Sequence, residues 1–358
     1  MANVQTRYTI GNLTVKNRIL RSATMENMAD ERGYVTADLV DLYRNLALGG
    51  TGLIVTGASA IEQNARVWRH QTAVWDDRHL DGLGQIARVI QENGSKCAIQ
   101  LHHGGMTGFG YSYGSQDSAY SLNEASDSDI ENTIEAFGRA ALRAQMAGFD
   151  AIAVHAAHGY LISQFLTPLT NHRKDKWGGN PANRMRFALE VCQSIRTRVG
   201  PDVPLLWKMN CADYCAGGSD VDEYAQIAKS LVKAGVDLIE ISGGVKEQIK
   251  LRGRLKKEAG DQEAYFRGAI EPFRKAVGVK ALAITGGIRS LDIMQGLIDE
   301  GVDMLGMCRP LISEPDLPNQ IFDSPGKNTA RCTSCNKCLL RIATRPLKCV
   351  EFDTMDDD

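Results

Sequence analysis

Eight short apolar, β-prone runs recur along the chain, each followed by a longer amphipathic stretch, and this alternation constrains the fold more than any single residue does. The runs are residues 19–23, 52–56, 97–101, 150–154, 204–209, 237–241, 281–285 and 303–307. Stretches between them, such as 36–48, 130–147, 182–199, 221–233 and 291–299, carry apolar residues three and four apart, the spacing of one buried helix face. Strands of nearly continuous apolar character are covered on both faces, as in a parallel sheet clad in helices. Gly50-Thr51-Gly52, Gly148-Phe149-Asp150, Gly235-Val236-Asp237 and Gly301-Val302-Asp303 form a weak repeat, each joining a helix end to the next strand. Glycine there suits the left-handed turn that closes a helix. Eight βα units with no GxGxxG after the first strand favour closure into a (β/α)8 TIM barrel over a doubly wound sheet.

The chain has 358 residues, long for one domain but within the range of such barrels. The expected organisation is therefore a barrel over residues 1–322 and a short C-terminal cysteine-rich extension over 323–358. A formal net charge of −2 gives no pull toward nucleic acid or an anionic membrane. The amino terminus lacks a signal-type apolar run and no stretch is long enough to span a bilayer, so a cytoplasmic protein is expected. Five of the nine cysteines, Cys97, Cys192, Cys211, Cys215 and Cys308, are scattered through the barrel, which fits a reducing compartment. The oligomeric state is left open, a homo-oligomer included.

In this fold catalytic groups sit just beyond the strand ends, all on one face. Those positions read as chemistry: Ser22-Ala23-Thr24-Met25, Gly57-Ala58, residues 100–105, residues 155–160, Lys208, Ser242-Gly243-Gly244, Gly286-Gly287 and Cys308-Arg309. The last two pairs fall where barrels bind a phosphate through backbone N–H groups, although such glycines also simply make tight turns. His155 and His158, three apart and followed by Tyr160, can present two imidazoles and a phenol to one small ligand. Alone, an HxxH also fits zinc or two hydrogen-bonded histidines.

The surrounding sequence from His155 to Phe187, HAAHGYLISQFLTPLTNHRKDKWGGNPANRMRF, closely resembles the signature of the old yellow enzyme family of FMN-dependent oxidoreductases. Asn17-Arg18-Ile19, Gly57-Ala58-Ser59-Ala60, Ile99-Gln100-Leu101-His102 and Met307-Cys308-Arg309-Pro310-Leu311-Ile312 fall in family order as well. The resemblance implies a role for each matching position. Ser22, Ala23, Thr24 and Met25 would lie along the flavin ring with Ala58 beside it, and Gln100 would hydrogen-bond the pyrimidine end. Lys208 would stand near N1 and O2, stabilising the negative charge of reduced flavin. Cys308 and Arg309, with Gly286 and Gly287, would bind the phosphate. His155 and His158 would grip the carbonyl oxygen of a small unsaturated substrate, and Tyr160 would protonate its α-carbon. Met25 departs from the cysteine or threonine of many relatives and cannot donate a hydrogen bond.

Near the C-terminus Cys332, Cys335, Cys338 and Cys349 give C-x2-C-x2-C-x10-C. Three close thiolates and a fourth from a nearby loop can surround one [4Fe–4S] cluster; structural zinc, which more often pairs two C-x2-C knuckles, is the rival. The pattern resembles the iron–sulfur branch of the family, which includes dienoyl-CoA reductase and trimethylamine dehydrogenase and carries further domains beyond the barrel. On that resemblance the electrons come either from NAD(P)H directly or from a separate reductase or ferredoxin. The locally basic segment 245–266 reads as a lid, a docking site for a redox partner, or a solvated loop. The expected activity is reduction of an activated C=C bond. An electron-transfer subunit of a larger complex, an amine dehydrogenase or demethylase, and aldol chemistry through a Lys208 Schiff base are the alternatives.

Overall fold

The computed structural model describes residues 2–107, 121–244 and 263–352. Residues 245–262, most of the basic segment read as a lid or docking site, lie outside the described residues. A short antiparallel hairpin, β1 (Tyr8–Ile10) and β2 (Leu13–Val15), precedes the barrel. The barrel strands are β3 (Ile19–Arg21), β4 (Leu53–Ala60), β5 (Lys96–His102), β6 (Ala151–Ala156), β7 (Leu205–Asn210), β8 (Leu238–Ser242), β9 (Ala281–Thr285) and β10 (Met304–Met307). They close in the order β10-β3-β4-β5-β6-β7-β8-β9, every neighbouring pair parallel. This is the (β/α)8 barrel that the alternation predicts.

Two cores follow from the two-residue period of a strand. Leu20, Leu53, Val55, Ala98, Ala151, Ala153, Leu206, Leu238, Ala281, Ala283 and Met304 point inward and fill the barrel together with Ile10, Leu13 and Val15, so the hairpin plugs one end. Their strand neighbours Ile54, Ile99, Ile152, Val154, Trp207, Ile239, Leu282 and Ile284 point outward into a larger layer beneath the helices. Ala at five of the inner positions lets large aliphatics from other strands meet across the narrow interior.

Continuing the inward alternation toward the carboxyl ends replaces carbon with polar groups. Leu20 is followed by Ser22, Ala98 by Gln100, Ala153 by His155, Leu206 by Lys208, Leu238 by Glu240 and Ala283 by Thr285. All six are buried, so a polar layer caps the apolar one inside the barrel. The outer helices are fixed by local signals: Thr36 caps helix Ala37–Leu48, and Ser126 forms a capping box with Asp129 at the start of helix Asp127–Met146. Among the described residues no helix is long and apolar enough to cross a membrane.

Candidate functional site

A cavity of about 510 Å³ opens at the carboxyl ends of the strands. Ala23, Thr24, Met25, Ala58, Gln100, His155, His158, Tyr160, Lys208, Gly286, Gly287, Cys308 and Arg309 all line it, so the structure brings together nearly every site residue expected from the sequence. Ser22 is the exception: it is fully buried, and its hydroxyl bonds to Lys208 and Glu240 beneath the cavity wall.

Part of the site is a tight cluster of rings. His155 lies 5.0 Å from Tyr160 and 5.1 Å from His158, and His102 lies 4.5 Å from Tyr160, each pair edge to face. The Ala157 N–H donates to His155 Nδ1 at 3.2 Å, so that nitrogen accepts and Nε2 carries the proton. His158 adopts a left-handed backbone (φ 64°), unusual without glycine, and is held there from two sides. Its N–H donates to Asn210 Oδ1 at 3.0 Å and its Nε2 lies 2.6 Å from Ser242 Oγ.

Gln71 fixes a third imidazole. Its Oε1 accepts from the Val67 N–H and its Nε2 donates to the Ala58 carbonyl, which settles the amide orientation. The same Nε2 lies 3.1 Å from His102 Nδ1, so His102 is a neutral ring protonated at Nε2. Burial, with a smaller contribution from His103, pushes its pKa down to about 3. Because the folded value lies below the unfolded one, this group's contribution to stability is complete above about pH 6.5 and is lost as pH falls toward 3. Denaturant unfolding between pH 7 and pH 4 should show that slope, and His102→Gln should flatten it by up to about one proton.

Beside these rings, Gln100 Nε2 is buried with no hydrogen-bond partner among the described residues, a donor that awaits a ligand. Lys208 Nζ donates to Glu240 Oε1 at 2.9 Å and to Ser22 Oγ. Gly286 (φ 127°) and Gly287 (φ 76°) occupy backbone conformations that side chains resist. A Cβ on them would meet Phe266 at 2.9 Å and Tyr265 at 2.6 Å, so turn geometry and close approach both demand glycine. Arg309, which opens helix Arg309–Ser313, donates to Asn336 Oδ1 at 2.6 Å and to Tyr265 Oη at 3.3 Å.

Beneath the segment from Ser22 to Met25 lies a buried network. Arg21 donates to Glu26 Oε1 at 2.9 Å and to the Val55 carbonyl at 2.8 Å. The same Glu26 oxygen accepts from Tyr43 Oη at 2.5 Å and from the Gly57 N–H at 3.0 Å, where β4 shifts register against β5.

The cysteine motif requires a correction. Cys332, Cys335, Cys338 and Cys349 do line one small cavity, but its volume is about 20 Å³, room for a single water. Among the described residues no group of three or more His, Cys, Asp or Glu is arranged to hold a metal ion. Burial also raises the Cys332 thiol, and pushes that of Cys338 up to about 11, favouring the protonated form. The expected [4Fe–4S] cluster, and zinc with it, therefore does not stand. The tail instead packs on the barrel rim: Cys338, Ile342 and Leu347 cluster with Met25 and Ile312, while the Leu347 N–H donates to the Glu26 carbonyl. Ser334, Asn336, Leu339 and Leu340 thereby become part of the main cavity's wall.

Glu240, Asn210 and Tyr265 were not among the residues singled out from the sequence. Glu240 had a signal, a charge at an inward position of an otherwise apolar strand. Tyr265 had none, because it lies outside the strands whose alternation points to the other wall residues.

A closed parallel barrel whose carboxyl-end cavity joins imidazoles and a phenol to a buried lysine defines a TIM-barrel enzyme. Residues 7–325 match the NADH:flavin oxidoreductase / NADH oxidase family, and the chain belongs to that family of flavin-dependent oxidoreductases. It is 34% identical over 341 residues to an NADH oxidase of Thermoanaerobacter brockii, across 91% of this chain and 52% of that protein. To an NADPH dehydrogenase of Geobacillus sp. (strain WCH70) it is 35% identical over 323 residues, across 87% of this chain and 91% of that protein. Among solved structures, a 2-naphthoyl-CoA reductase in complex with 2-naphthoyl-CoA superposes with a TM-score of 0.90 at 28% identity, over 97% of this chain and 56% of that one. An old yellow enzyme homologue from Zymomonas mobilis superposes at 0.76 and 22% identity, over 94% and 99%, and shows the shared fold. The chain thus spans about half the length of the Thermoanaerobacter and naphthoyl-CoA relatives.

Proposed function

We propose that this chain is an FMN-dependent reductase of activated C=C bonds, acting on an α,β-unsaturated carbonyl compound or thioester with NAD(P)H as electron donor. The observation that carries the reading is the juxtaposition, in one cavity, of His155, His158 and Tyr160 with Gln100 and Lys208. The residues fit FMN on chemical grounds: Gln100 offers an unsatisfied buried amide for a pyrimidine edge, Lys208 a buried cation, and Gly286 and Gly287 a backbone with no room for side chains. Ala23, Thr24, Met25 and Ala58 would flank the ring, and Cys308 and Arg309 would lie at the phosphate.

FMN, when bound, supplies the hydride. The chain supplies the polarisation and the proton. His155, fixed as an Nε2–H donor, and His158, held by Ser242 and Asn210, take the substrate's carbonyl oxygen, where negative charge builds as the double bond is reduced. Tyr160 delivers the proton to the α-carbon. A thioester substrate draws support from the likeness to 2-naphthoyl-CoA reductase.

The test is an anaerobic titration of FMN-loaded protein. NADH or NADPH should bleach the flavin absorbance and an enone should restore it. Bleaching only by an added reductase or ferredoxin would support the partner-dependent reading, and failure to take up FMN would overturn both. Gln100→Leu gives an independent check with two opposite signs. Removing a buried unpaired amide should stabilise the FMN-free protein by about 1 kcal/mol, while FMN affinity falls roughly tenfold. Thermal unfolding and fluorescence titration measure the two effects.

A further inference from the structure

Lys208 is the buried cation of the cavity wall, and it does not stand alone. Glu240, 4% exposed, is its register partner on the neighbouring strand, and its Oε1 accepts from Lys208 Nζ at 2.9 Å and from the Ser22 hydroxyl. An ammonium has three N–H donors, and Glu240 and Ser22 take two of them. Lys208 lines the cavity, whereas Glu240 sits behind it. The other ionisable groups around the ammonium are His155, its partner on the opposite neighbouring strand, and Cys308 and Tyr265. Glu240 is therefore the carboxylate that answers this charge. Burial works to lower the lysine's pKa, and attraction to Glu240, joined by Cys308 and Tyr265, more than reverses it.

We propose that Glu240, acting through Lys208, is the positioning residue that lowers the reduction potential of the bound flavin. The inference rests on the FMN reading and on Lys208 lying beside the pyrimidine edge. A bare cation there favours the reduced, negatively charged flavin; a carboxylate hydrogen-bonded to that cation cancels much of its field. The site then presents an ion pair in place of a full positive charge, and the reduced cofactor is held as a stronger hydride donor.

The test is a spectroelectrochemical titration of FMN-loaded wild type, Glu240→Gln and Glu240→Asp against a reference dye at neutral pH. Glu240→Gln should shift the midpoint positive, equivalent to on the order of tenfold tighter binding of reduced relative to oxidised FMN. Glu240→Asp, whose shorter carboxylate withdraws from Nζ, should shift it in the same direction by less. It also serves as the test should the glutamine variant fail to fold. An unchanged or negative midpoint in either variant overturns the proposal. A wild-type protein that takes up no FMN would instead defeat the cofactor reading, which separates the two failures.

Discussion

Replacing Tyr160 with Phe is expected to slow reduction of an enone by about 10²- to 10⁴-fold, the usual contribution of a positioned general acid, while reduction of the bound flavin by NAD(P)H stays close to wild type. The two half-reactions separate because the phenolic O–H is needed only when a proton reaches carbon. The ring itself is retained in Phe, so its edge contacts with His102 and His155, at 4.5 and 5.0 Å, survive and the cavity keeps its shape. His155 and His158 are held by the Ala157, Asn210 and Ser242 contacts, none of which involves the Tyr160 hydroxyl, so carbonyl binding should persist and KM should change far less than kcat. Stopped-flow measurement of each half-reaction decides the matter. Full enone turnover in the variant would remove Tyr160 from the chemistry.

Most of this site could be read in the sequence because a parallel barrel converts position along a strand into position in space. Eight alternating units place the strand ends on one face, and the period of two places Gln100, His155 and Lys208 inside. The same rule places Glu240 inside, a charge within the strand and not beyond its end. The tail shows the opposite limit. Cys332, Cys335, Cys338 and Cys349 line one cavity, yet their spacing carries no information about cavity volume or thiol ionisation. Those depend on how Ile312, Ile342, Leu347 and Met25 pack around the loop, contacts that join residues hundreds of positions apart. Met25 accordingly has two roles that sequence could not separate, lining the cavity and anchoring the tail.

The largest stability effect should come from Glu26, a residue that does not line the cavity. Its carboxylate and the Arg21 guanidinium are each 3% exposed, and the same oxygen also serves Tyr43 Oη and the Gly57 N–H. Glu26→Ala leaves the Arg21 charge buried without its counter-ion and strips the Tyr43 hydroxyl of its acceptor. Loss of one partner of a buried ion pair costs about 3–5 kcal/mol. Glu26→Gln keeps the shape and one acceptor but not the charge, and should fall between. Denaturant unfolding measures both; a Glu26→Ala protein within about 1 kcal/mol of wild type would show that the network is not what holds this rim in place. Gly57 makes the argument sharper. A Cβ there would lie 1.8 Å from Glu26 Oε2 and 2.7 Å from the Thr24 carbonyl, so Gly57→Ala alone must push the carboxylate off its partners. In the Glu26→Ala background that clash is gone and only the backbone contact remains. The two substitutions should therefore be markedly less than additive, by about 1–3 kcal/mol in a double-mutant cycle, because each removes the same placement of one carboxylate beneath Thr24 and Ala58.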